Sequence, residues 1–401
     1  MRRRDLLALL GGTAFWPAIA QTQPAGVAGG QEIRIGNIMP YSGPASAFSA
    51  IGTAIDAYFR KVNDEGGVNG RKIKFISYDD GYVPSKTVEQ ARRLVEGDEV
   101  LLLFATLGTA SNAAIQKYMN SKKTPQLFVL TGLTRFSDPE NYPWTMGFQP
   151  TSRDEARGYA KFLLRNHPGG RIAILSENDD FGRDYVAGMK EGLDGKIPVV
   201  AEAVYDATSP TVDSQIVTLK SSGADIFFNV GTPKFTAQAI RRTAEIGWKP
   251  VQIIIRPSSS IGAVIAPAGL ENAVGIISSE FVKDPTDPAW AGDPKVREWS
   301  EYMAKYNPAG DLNSNLNVAA HCMAQALVQV LKQCGDDLTR ENVMRQAANL
   351  RHVELDMVLP GITANTTSAD YFPIKQFLLK RFDGKRWETF GHLVGDIVRK
   401  G

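Results

Sequence analysis

The feature that most constrains this chain is a β–α alternation that runs from Gln31, lapses, and starts again near residue 170. Ile33-Arg34-Ile35 opens a strand that ends at Gly36-Asn37-Ile38-Met39-Pro40, and Ile51, Ala54, Ile55, Tyr58 and Val62 then recur at the spacing of one helix face. Ile73 and Phe75 alternate with polar residues into Tyr78-Asp79-Asp80, and Val88, Ala91, Leu94 and Val95 form the next helical face. Val100–Phe104 and Leu127–Leu130 are compact apolar runs, the pattern of strands covered on both faces. In the second half, strands are predicted at Arg171–Leu175, Val199–Tyr205, Ala224–Val230 and Val251–Ile255, with helices at Gly182–Leu193, Val212–Leu219 and Ala237–Ile246. Such alternation builds a parallel sheet flanked by helices. Its restart predicts an α/β protein of two Rossmann-like lobes, and the lack of a fixed-period repeat excludes a solenoid. Pro-rich punctuation at Asn141–Pro150 and Asp284–Pro294, and the Gly361–Pro373 segment, mark the expected crossings between lobes.

The N-terminus reads as an address. Arg2, Arg3 and Arg4 precede the apolar stretch Leu6–Trp16 and then Ala18-Ile19-Ala20, the order of a secretory signal cleaved after Ala20. The apolar stretch falls short of the roughly 20 residues a membrane span needs. Arg3-Arg4-Asp5-Leu6-Leu7 also resembles a twin-arginine signal, so both export routes stay open. No cysteine follows the cleavage site to carry a lipid. The expected mature chain of about 380 residues is long enough for two full cores. Its net charge of +2 argues against a nucleic-acid binder, and an export signal stands where a DNA-binding helix-turn-helix would have to sit. A periplasmic or secreted protein is expected.

Chemistry is hard to find. There is no G-x-S-x-G, H-E-x-x-H or phosphate-gripping glycine loop, and His167, His321, His352 and His392 lack metal-ligand spacing. Asp79-Asp80 and Asp179-Asp180 are sequence neighbours at strand ends, so each pair points to opposite faces. Cys322 and Cys334 fall within and just past one helical stretch, about 18 Å apart along its axis, too far for a disulfide. A receptor with no cofactor and no metal is expected in place of an enzyme.

Taken together, several segments resemble the branched-chain amino-acid type of periplasmic solute-binding protein, the type I fold served by ABC transporters. They are Gly36–Pro44, Asn63–Ile73, Asp79-Asp80, Asp179–Gly182 and Val230–Pro233. The resemblance implies two lobes joined by three hinge strands, with residues 31–150 and 283–360 in one lobe and 151–282 and 361–401 in the other. It implies a small-molecule ligand in the cleft, permease subunits at the inner membrane as partners, and a monomer. Strand ends facing the cleft select the ligand-contact candidates Tyr41, Phe48, Gly108, Thr109, Ala110, Thr131 and Gly132 from the first lobe. Phe181, Thr232, Ser258 and Ser259 come from the second. Phe181 stands where amino-acid-binding relatives carry a tyrosine.

One departure from that pattern bears on the ligand. Receptors for α-amino acids in this family hold the ammonium with an acidic residue after the strand corresponding to Val251–Ile255, where this chain reads Arg256-Pro257-Ser258-Ser259-Ser260. A buried ammonium without a charge partner costs several kcal/mol. The expected ligand is therefore a hydrophobic or aromatic carboxylate, its carboxylate at the helix N-terminus near Thr109 and its body among Phe48, Tyr41 and Phe181. Branched-chain amino acid or amide binding and a sensory receptor of the same fold are the alternatives.

Overall fold

The computed structural model describes residues 32–395, so the expected signal segment 1–20 lies outside the described residues. Runs of branched and apolar residues become strands and the periodic stretches between them become helices. In chain order these are β1 (Glu32–Met39), α1 (Ser49–Asp64), β2 (Lys72–Asp79), α2 (Pro84–Arg92), β3 (Leu102–Phe104), α3 (Thr109–Ser121), β4 (Gln126–Val129) and β5 (Thr145–Gly147). The strands form one parallel sheet in the order β2-β1-β3-β4-β5. Leu102, Leu103 and Phe104 are all buried, as helices on both faces require.

After the first crossing come α4 (Ser152–Asn166), β6 (Ile172–Glu177), α5 (Asp180–Leu193), β7 (Val199–Tyr205), α6 (Asp213–Ser221) and β8 (Ile226–Val230). They continue into α7 (Pro233–Glu245), β9 (Val251–Ile254), α8 (Ala266–Ala268) and β10 (Ile277–Glu280). The chain then returns to the first lobe with α9 (Pro294–Tyr306), α10 (Asn315–Cys334) and α11 (Arg340–Ala347), and ends in a hairpin of β11 (Phe377–Phe382) and β12 (Trp387–Val394). The second sheet has the order β12-β11-β10-β9-β8-β6-β7, parallel except for the last two strands of the chain. That hairpin is not anticipated by the alternation, because no helix separates its strands. Cys322 and Cys334 are both free and buried in α10.

Three chain passages meet side by side between the sheets. The Phe148 and Phe281 rings lie 6.4 Å apart, the Ile374 amide donates to the Phe148 carbonyl at 2.9 Å, and the Leu359 amide donates to that of Phe281 at 2.9 Å. The last crossing falls later than the sequence suggests. Residues 361–374, assigned above to the second lobe, stay on the first: Ala364 bridges to Val353, and Phe372 packs with Val129, Leu133 and Phe136. The cause is local. Gly147 leaves room for the Phe372 ring, which a β-carbon there would strike.

Candidate functional site

Parallel strands deliver their carboxyl ends to the space between the lobes, where helix N-termini also point. The cavity found there is walled from the first lobe by Phe48, Ile51, Tyr82, Leu107, Gly108, Thr109, Leu130 and Thr131, with Leu316 of α10 and Gln149 of the crossing. The second lobe contributes Phe181, Thr232, Arg256 and Pro257. The cavity volume is about 50 Å³.

The first-lobe wall is set by backbone. Gly108 precedes α3 at φ +100°, a conformation that L side chains avoid, and its missing side chain lets the Tyr82 ring approach. No side chain caps α3, which leaves first-turn amides and the helix dipole for an anion. Thr109 and Thr131, both buried, share a hydroxyl–hydroxyl hydrogen bond of 2.6 Å that ties the helix start to the end of β4. Behind them Asp80 accepts from Thr87 at 2.6 Å and Ser111 at 3.3 Å, and from the Tyr82 amide at 2.9 Å. Burial raises the Asp80 pKa despite these donors. Tyr82 itself holds a left-handed φ of +63°.

The second-lobe wall is set by ionisable side chains. Arg256 donates its backbone amide to Glu155 Oε1 at 2.8 Å and Nη2 to Gln149 Oε1 at 2.5 Å. Glu155 also accepts from Tyr159 (2.6 Å), Tyr185 (2.6 Å) and Ser279 (2.9 Å), which fixes α4, α5, β10 and the Arg256 turn to one carboxylate. One layer behind Thr232, the buried Glu177 accepts from Tyr205 at 3.1 Å. Burial, then the nearby Asp179, push Glu177 up to about 8, so its carboxyl keeps its proton at neutral pH. Asp179 is also raised, by burial, while accepting from the Gly182 amide as the cap of α5. Tyr82 feels both charges across the cleft, and burial with these neighbours holds its phenol well above the usual tyrosine value.

Of the candidates expected from sequence, Phe48, Gly108, Thr109, Thr131, Phe181 and Thr232 come together in the cavity wall. Tyr41 does not. Asp79 accepts from the Tyr41 and Ser42 amides and pulls the loop outward, where the Tyr41 hydroxyl bonds Ser77 at 2.6 Å over Gly52. Ala110 is exposed on the first turn of α3, and Gly132 is covered by the crossing, its carbonyl accepting from the Ser152 amide at 2.8 Å. Ser258 and Ser259 are also displaced, because Arg256–Ser258 forms a tight 3-10 turn. Ser258 donates inward to the Gly231 carbonyl at 2.6 Å, and Ser259 to that of Arg256 at 2.8 Å. The same turn brings Arg256 and Pro257 to the cavity. Sequence reasoning missed Tyr82, Gln149 and Arg256. For Arg256 the available signal was a basic residue directly after a fully apolar strand.

Among the described residues no group of three or more His, Cys, Asp or Glu could hold a metal ion. No helix among them is long and apolar enough to cross a membrane. The model of the periplasmic binding protein family matches residues 32–383. Leu/Ile/Val-binding protein homolog 7 of Brucella abortus (strain 2308) is 23% identical over 332 residues, covering 78% of this chain and 81% of that protein. Among solved structures, a branched-chain amino acid ABC transporter protein from Thermus thermophilus with bound valine superimposes with a TM-score of 0.82 at 14% identity, covering 91% of this chain and 97% of that one. A fatty acid ABC transporter substrate-binding protein from Thermomonospora curvata gives 0.77 at 20% identity, over 91% and 92%. These likenesses confirm the type I fold, and with a family match that spans all but the last strand of the described fold, the chain belongs to the periplasmic binding protein family.

Proposed function

We propose that this protein captures a small hydrophobic or aromatic carboxylate between its lobes and presents it, as a monomer, to the permease of an ABC importer. The observation that carries this reading is the makeup of the wall. Phe48, Ile51, Leu107, Leu130, Phe181 and Leu316 supply apolar surface, the uncapped start of α3 supplies donors, and among the described residues no carboxylate lines the cavity to receive an ammonium. As a binding protein and not an enzyme, it needs only affinity, and about 8 kcal/mol gives a micromolar Kd. The fatty acid receptor among the structural neighbours is named for an apolar carboxylate.

A second reading, branched-chain amino acid binding, is favoured by Glu177, which stands one layer behind Thr232 and could ionise for a ligand ammonium. The names of the Brucella and Thermus relatives point the same way. A thermal-shift screen separates the two. A ligand at a hundred times its Kd stabilises by about 2.7 kcal/mol. Shifts are expected with aromatic and medium-chain aliphatic carboxylates and not with leucine, isoleucine or valine. A strong leucine shift with none from benzoate or hexanoate would replace the first reading with the second.

A further inference from the structure

Arg256 carries a donor that the protein leaves unused. Its side chain is 6% exposed and is the one cation in the cavity wall among the described residues. A buried guanidinium is expected to spend its donors on acceptors. Nη2 does so on Gln149, but Nη1 makes no hydrogen bond. The carboxylate nearest to it, Glu280 Oε1, is 3.9 Å away, beyond hydrogen-bonding range. Nor is Glu280 free to close the gap. Its Oε2 accepts from Lys380 at 2.9 Å and Asn315 at 2.8 Å, and its Oε1 from the Phe281 amide at 3.1 Å. On one face the guanidinium lies 4.7 Å from the Phe281 ring centroid, which offers no lone pair and fixes the plane. Arg256 also lines the cavity, where a ligand oxygen could meet this donor.

We propose that Arg256 is the second polar anchor of the ligand site, donating to an acceptor oxygen at the end of the ligand remote from the carboxylate held by α3. This rests on the carboxylate reading above and narrows it to acids with a hydroxyl, oxo or second carboxylate group at the far end. A site built to hydrogen-bond a polar group rejects the analogue that lacks it, because its own buried donor is then left unmet.

Titration calorimetry on the purified protein with benzoate, 4-hydroxybenzoate and benzene-1,4-dicarboxylate tests the assignment. The two para-substituted acids are expected to bind about 10- to 100-fold tighter than benzoate, the worth of one hydrogen bond from a charged donor. Within R256Q itself, the two para-substituted acids should bind no tighter than benzoate, so the preference is erased whatever the variant's overall affinity. R256K, which keeps the charge but loses the fork, should recover part of the preference for the dicarboxylate. R256Q weakening all three acids alike would overturn the proposal, since Arg256 would then hold the primary carboxylate or the fold. So would benzoate binding as tightly as its substituted forms, a result that leaves the carboxylate reading standing. If none of the three binds at millimolar concentration, both readings fall together.

Discussion

The two faces of the cleft are made from different materials. On the first lobe the polar groups are main-chain amides at the start of α3 and a pair of threonine hydroxyls, held by a glycine at φ +100° and by the bonds of Asp80. On the second lobe they are Arg256 and Thr232, held by the Glu155 hub and by Tyr205, with Glu177 one layer behind. A backbone site offers the same donors whatever the pH and is altered only by changing the chain path. A side-chain site can be retuned by one substitution. On the carboxylate reading proposed above, the first lobe would recognise the anion and the second would read what else the ligand carries.

Removing the Glu155 hub should have the largest effect. Glu155→Leu leaves the Tyr185 and Ser279 hydroxyls and the Arg256 amide unmet, and Tyr159 with the Ile254 carbonyl as its acceptor. Urea unfolding should show a loss of about 3–5 kcal/mol, with Glu155→Gln retaining part of it. A loss under about 1 kcal/mol would mean that the second wall is not held from this point. Next in size, Gly108→Val forces a branched side chain into φ +100° and against Tyr82. Carboxylate affinity should fall by about 100-fold, as strain of a few kcal/mol displaces the α3 amides. Unchanged affinity would break the claim that backbone sets the first wall.

The pH dependence of a Glu177 variant, set against that of the parent, tests the second wall. Glu177 is raised from an ordinary 4.5 to about 8, so the folded state binds the extra proton between those values. Its contribution to stability is fully present below pH 4.5 and is lost as pH rises through 8, at no more than about 1.4 kcal/mol per pH unit. Chemical denaturation across pH 6.5–8, above the range in which the buried His321 adds a slope of opposite sign, should show this fall, and Glu177→Gln should flatten it; a slope that survives the substitution assigns the proton elsewhere. The smallest effect belongs to the threonine pair. In a double-mutant cycle, Thr109→Val and Thr131→Val should couple by about 1 kcal/mol in stability. Zero coupling would show that the 2.6 Å contact holds nothing.

Much of the fold could be read from the chain because its central strands are covered on both sides and appear as unbroken apolar runs, as at Leu102–Phe104 and Leu127-Phe128-Val129. The edges were harder. β5 has three residues, and β12 is half solvated, so neither has the length or the apolar density to stand out. In the cleft, the rule that strand ends face the opening located Phe48, Thr109, Thr131, Phe181 and Thr232. It misplaced Ser258 because a strand rule says nothing about a 3-10 turn, which rotates each successive side chain by about a third of a revolution. Tyr82 depends on a left-handed backbone at a non-glycine residue, which no local pattern announces.

The packing of α1 against α9 and α10 has a consequence in time. The Tyr302 hydroxyl donates to the Ala54 carbonyl across 248 positions of sequence, and Tyr58 meets His321 edge-on with ring centres 4.8 Å apart. At about 5–20 residues per second, the ribosome delivers the partners of Ala54 roughly 12–50 s after Ala54 itself. For that interval Phe59 can already meet Phe75 and Phe104 of the sheet, but the side of α1 that faces α9 and α10 has no cover. The first half of the gene therefore encodes a piece that cannot finish folding until the last quarter of the chain has been made.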